Sequence, residues 1–115
     1  MRLPNIEEAD IPEAKIRDYL LCSTHRVGKT KAAFFESFGF VSERWQELRD
    51  ALLKHARDNE VQEWEDTEYG RRYVIDGPVW VPSGDSPRVR SVWFVEPGRR
   101  GPRFVTAHPL RRKRP

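Results

Sequence analysis

A chain of 115 residues, 37% of them apolar and 34% charged, is sized for one domain around one modest core and is too apolar and aromatic for a disordered segment. No run of about 18 apolar residues exists, which excludes a transmembrane helix. "MRLPNIEEAD" lacks the apolar stretch of a signal peptide, and the single Cys22 cannot form an internal disulfide, so the expected setting is the cytoplasm, away from membranes.

The net charge of +3 is unevenly spread: residues 1–68 hold 10 Lys and Arg against 15 Asp and Glu, while residues 69–115 hold 11 against 3. Ten of those 11 late cations are arginine, the side chain best shaped for bidentate phosphate contacts. A basic half of this kind points to RNA or another polyanion as partner. Residues 1–110 read as a single α+β domain, and "RRKRP", 111–115, as a disordered basic tail that adds long-range attraction.

The first half reads as helices. "IPEAKIRDYLLC" spaces Ile16, Tyr19 and Leu20 as an apolar row, with Asp10 as cap, Pro12 near the first turn and Cys22 in the core. "STHRVG" interrupts it. "KTKAAFFESF" is a second, short helix with Ala32, Phe34, Phe35 and Phe38 inward and Gly39 ending it. "SERWQELRDALLKHARDN" is the clearest helix, capped by Ser42, with Trp45, Leu48, Leu52, Leu53 and Ala56 on its apolar face. His55, beside Lys54 and near Arg57, reads as an exposed helix histidine.

The second half reads as strands. "EVQEWEDTEYG" alternates, with Val61, Glu63 and Glu65 on one side. "RRYVIDG" returns after a turn at Tyr69-Gly70, a hairpin. "PVWVPSGDSP" is loop. "RVRSVWFVE" places Val89, Ser91, Trp93 and Val95 on one face and Arg88, Arg90, Val92 and Phe94 on the other. "RFVTAHPL" closes the order with Thr106 and His108 on a common face. The sum is an α+β fold: two to three N-terminal helices packed on one face of a roughly four-stranded antiparallel sheet, the other face free to work.

"GKT" at Gly28–Thr30 is not a phosphate-binding loop. Ser23 stands where the motif needs its first glycine, and a helix precedes where the motif needs a strand. Residues 28–31 instead open a helix whose N–H groups attract an anion, with His25, Lys29 and Lys31 around it. The three histidines form no metal-ligand spacing, no cofactor is implied, and the carboxylates from Glu60 to Glu68 read as a solvated strand face. His25, Lys31, Thr106 and His108, with Lys29, Arg71, Arg88, Arg90 and Tyr73 to hold phosphate, are a sufficient kit for metal-independent RNA cleavage: a base, an acid and cations around phosphorus. The same kit describes a passive nucleic-acid-binding face. Trp64, Trp80 and Trp93 offer a third reading, as contacts for a protein partner.

Across residues 3–110 the chain resembles a family of small bacterial proteins known as a domain of unknown function. The blocks that carry the resemblance are "LPN", "KIRDYLL", "HRVGKTKAAFFESFGF", "YGRRYVIDGP", "RVRSVWFVEPG" and "RFVTAHPL". Such domains also occur as C-terminal modules of bacterial polymorphic toxins. In layout the chain is similar to barnase/EndoU/colicin/RelE-like toxin nucleases. The resemblance implies a metal-independent endoribonuclease of toxin type, held by a small cognate inhibitor; the alternative is a non-catalytic nucleic-acid- or partner-binding module of a toxin–immunity system. By position it carries over His25, Lys31 and Thr106. Two positions depart from it: Thr30 stands where relatives often place a histidine, and His108 where they often place an aromatic residue.

Overall fold

The computed structural model describes residues 1–110; the expected basic tail lies outside the described residues. A 3-10 turn at Ile6–Glu8 leads to α1 (Glu13–Lys15), which widens into a π-helical turn at Ile16–Leu20. Then come α2 (Lys29–Ser37), α3 (Trp45–Asp58) and the strands β1 (Val61–Thr67), β2 (Gly70–Pro78), β3 (Arg88–Val95) and β4 (Arg103–Pro109). The strands form one antiparallel meander in the order β1-β2-β3-β4. The chain is therefore α+β, with its helices N-terminal to its strands, as the residue pattern predicts.

The apolar period of α3 explains that helix: Leu48, Ala51, Leu52, His55 and Ala56 fall on one buried stripe. α2 stops at Gly39, which sits at φ 101°, left-handed territory that a Cβ disfavours. Beyond it the Phe40 N–H bonds back to the Phe35 carbonyl at 3.3 Å. Two expected caps are absent. Asp10 is drawn into a β-bridge with Arg103, and the helix begins after Pro12 with no side-chain cap. Ser42 opens a 3-10 turn at Ser42–Arg44 ahead of α3, and its hydroxyl accepts a hydrogen bond from Arg17 Nε at 3.2 Å. Cys22 lies past the π turn, half-buried beside the Thr24 hydroxyl rather than in the core.

The π turn is closed by the Leu21 N–H on the Ile16 carbonyl at 2.7 Å. It buries Ile16 and Leu20 in the core and leaves Tyr19 half-buried. π turns of this kind are frequent at functional sites.

Cross-strand partners share a face, and the register separates the two faces of the sheet. Tyr73 opposes Trp93, Ile75 opposes Ser91, and Ser91 opposes Ala107. This face packs with Leu20, Phe35, Leu48 and Leu52 into the core. Phe35, Phe40 and Phe104 are fully buried, each stabilising the fold by about 1.5–3 kcal/mol. The second face carries Arg72 opposite Phe94, Val74 opposite Val92, Asp76 opposite Arg90, then Thr106 opposite Val92 and His108 opposite Arg90. β1 is an exposed edge whose register shifts between Val61 and Glu63. That bulge separates Val61, opposite core-facing Ile75, from Glu63, opposite Val74, so the two do not share a face as strict alternation predicts.

Candidate functional site

Two clusters pair a histidine with a hydroxyl, one on each face of the sheet. The first is His55, which the charged neighbours on α3 led us to expect at the surface. It is 2% exposed. Its Nε2 lies 3.2 Å from the Gly77 carbonyl and 3.1 Å from the Val89 carbonyl, so Nε2 carries the proton and Nδ1 accepts. The Ser91 hydroxyl then donates to Nδ1 at 3.1 Å and accepts from Trp93 Nε1 at 2.9 Å. Every polar atom is paired, and burial pushes the imidazole below its ordinary value. This neutral His55 ties α3 to β2 and β3 and leaves no atom for a substrate.

The second cluster gathers residues from distant segments at the β4 edge of the second face. Lys31, in the first turn of α2, donates from Nζ to the Thr106 hydroxyl at 2.8 Å and to the Tyr19 phenol oxygen at 2.5 Å. Tyr19 and Thr106 lie 2.9 Å apart. All three side chains are half-buried. Burial alone would raise the Tyr19 phenol, but its hydrogen bonds with Lys31 and Thr106 outweigh it and hold the phenol below its ordinary value.

His108 stands two residues along β4 from Thr106, about 6.6 Å by strand rise, on the same face. Burial lowers its value first; the charges of Lys31 and Arg90 lower it further, and Asp76 pulls the other way. The ring is therefore held neutral near pH 7. Its cross-strand partner Arg90 makes a bidentate pair with Asp76, at 2.7 and 2.9 Å, which keeps the carboxylate below the usual range. Asp76 anchors Arg90 beside His108.

His25 joins from the loop before α2. Its Nδ1 accepts the N–H groups of Val27 and Gly28 at 3.0 and 2.9 Å, which places the ring proton on Nε2. The ring meets the edge of Tyr19, with centroids 5.0 Å apart. Gly28 is required here because a Cβ would collide with the Tyr19 carbonyl oxygen. Lys29 and Thr30 are exposed at the start of α2, and Arg88 is exposed at the far end of the second face.

The structure thus brings His25, Lys31, Thr106, His108 and Arg90 together, with Arg88 and Lys29 at the margins. It does not bring Arg71 and Tyr73 there. Tyr73 is 4% exposed inside the core. Arg71, also on the other face, stacks 4.2 Å over Trp64 and grips Asp66 with two bonds, at 2.6 and 3.1 Å. Trp93 belongs to the core and is no partner contact; Trp64 and Trp80 remain exposed. Residue types and spacing missed Tyr19 and Asp76. Tyr19 was absorbed into an apolar helical row, although a phenol inside a helix face needs a polar partner. Among the described residues no group of three or more His, Cys, Asp or Glu is gathered as a metal would need, and no helix is long and apolar enough to cross a membrane.

The model of the domain of unknown function DUF6883 matches residues 2–111, and the chain belongs to that family. No curated protein matches it. Among solved structures it is similar to a chain of a contact-dependent growth inhibition toxin–immunity protein complex from Klebsiella pneumoniae 342. That match has a TM-score of 0.72 and 19% sequence identity, covering 92% of this chain and 97% of the other. At this identity the likeness speaks to the fold alone.

Proposed function

We propose that the protein is a metal-independent endoribonuclease of toxin type, working on the second face of the sheet beside the start of α2. The observation that carries this reading is the convergence of the Lys31 ammonium on Thr106, 75 positions away, next to a histidine that burial and two cations hold neutral. A neutral imidazole takes the proton from a ribose 2′-hydroxyl. Lys31 and Arg90 stabilise the charge that grows on the phosphoryl oxygens as the hydroxyl attacks, and Thr106 holds the lysine in place. Lys29 and Arg88 hold flanking phosphates. Thr30, where relatives often carry histidine, leaves the base role to His108.

Residues 1–110 act as one domain in this reading, in the cytoplasm where RNA is available, and the basic segment 111–115 adds attraction. A small cognate inhibitor protein covers the face until the enzyme is released. The toxin–immunity complex that shares the fold supports such a partner. The alternative, a non-catalytic nucleic-acid- or partner-binding module, draws on the absence of the histidine at position 30. Incubating bulk RNA in EDTA with the wild type and with Lys31→Ala separates the two. Cleavage that the variant loses supports the enzyme; intact RNA bound in a steeply salt-dependent way supports the module.

A further inference from the structure

We infer that Tyr19 is the general acid of this site, the group that donates a proton to the departing ribose 5′-oxygen. The inference rests on the ribonuclease reading and adds the role which that reading leaves open. Breaking a phosphodiester by internal attack needs two proton transfers, one on each side of phosphorus. His108 supplies the base but, being held neutral, is poorly furnished to act as acid in the same turnover.

Three observations select Tyr19. Its oxygen accepts a hydrogen bond from the Lys31 ammonium at 2.5 Å; with that lone pair engaged, the phenol proton is turned either to Thr106, 2.9 Å away, or outward to a bound oxygen. Lys31 and Thr106 are also the groups that would stabilise the phenolate left behind. Finally, the backbone spends unusual geometry on placing it: Tyr19 sits in the π turn, is packed edge-on by His25, and is approached closely by Gly28, where no side chain fits. Thr106 links the two groups: its hydroxyl lies 2.9 Å from the phenol oxygen, and His108 stands two residues along β4 on the same face. His108 thus stands about 6.6 Å along β4 from the residue that binds the phenol, and on this inference the phosphate sits between the two.

The step balances as follows. The 2′-hydroxyl proton passes to the neutral imidazole of His108 as the 2′-oxygen bonds to phosphorus. The bond from phosphorus to the 5′-oxygen breaks, its electron pair staying on oxygen, and that oxygen takes the proton of Tyr19. The products are a 2′,3′-cyclic phosphate and a 5′-hydroxyl. Solvent then removes the proton from His108 and returns one to Tyr19.

Tyr19→Phe removes only the hydroxyl, and comparing two substrates tests the role. On an oligoribonucleotide we expect the rate to fall about 10²- to 10⁴-fold. On uridine 3′-(4-nitrophenyl phosphate), whose leaving group departs without a proton, we expect near-wild-type rates from Tyr19→Phe and a large loss from His108→Ala. Equal losses by Tyr19→Phe on both substrates, with the variant folded by thermal unfolding, would assign Tyr19 a structural part and overturn the inference. So would an unchanged rate on RNA. If the wild type cleaves neither substrate, the ribonuclease reading fails and this one with it.

Discussion

The two histidine clusters use the same pair of chemical groups to opposite ends. His55 and Ser91 are sealed between α3 and the sheet with each hydrogen-bonding position taken. His108 and Thr106 lie half-buried on the second face, within the fields of Lys31, Arg90 and Asp76. Burial lowers both histidines, so the shift alone does not separate them. What differs is saturation and charge. In the first cluster nothing is left over for a ligand, and its worth is stability. In the second, a cation and a phenol lie half-buried and bonded to each other, and the proposed function gives them a chemical role. Perturbation of one cluster should therefore move stability, and of the other activity, with little crossing over.

Between the two clusters, Lys31→Ala is expected to move activity furthest. Loss of a cation facing developing negative charge costs about 10²- to 10³-fold in rate. Tyr19 and Thr106 can still bond to each other, so thermal unfolding should shift by no more than about 1 kcal/mol equivalent. His55→Ala should do the reverse. It leaves Ser91 and two backbone carbonyls short of partners and opens a cavity, for a loss of about 2–4 kcal/mol. The melting temperature should fall by on the order of 10 °C, while RNA cleavage well below that temperature stays near wild type.

The pH dependence of stability gives a smaller, signed effect. Folding lowers the His55 value below that of the unfolded chain, near 6.5. As pH falls the unfolded chain therefore takes up the proton first. The stabilisation is complete above about pH 7.5 and is lost as pH drops below 6.5 toward the folded value. His108 adds in the same direction. Urea unfolding from pH 8 to 5 should show this decline, and a shallower one in His55→Ala. Least in size is the effect of Asp76→Asn. Asp76 is the group that raises His108, so the acid limb of kcat/KM should move to lower pH; movement upward would argue that another group is the base.

The sheet and the two longer helices could be read from the sequence because period and burial coincide there. Leu48, Leu52 and Ala56 mark α3, and Val89, Ser91 and Trp93 mark the inner side of β3. His55 was misjudged on its charged neighbours, although it falls three residues after Leu52 and seven after Leu48, on the same stripe. The caps failed because tertiary contacts claimed them: Asp10 bridges to Arg103, and Ser42 serves Arg17. Lys31, Thr106 and His108 could be singled out as types, and the shared face of the last two follows from strand alternation. Their meeting with Tyr19 could not be foreseen, since it depends on the π turn, which has no period of its own. The basic half of the chain also overstated its free charge. Arg71 and Arg90 are each held by a carboxylate, Asp66 and Asp76, and Tyr73 is core.

The central claim is that the second face cuts RNA without a metal by attack of the 2′-hydroxyl. Mass spectrometry of the fragments released from a defined RNA in EDTA tests it most directly. The predicted result is fragments ending in 2′,3′-cyclic phosphates, matched by fragments starting with 5′-hydroxyls. RNA left intact by the wild type, or fragments with 3′-hydroxyl and 5′-phosphate ends, would contradict it.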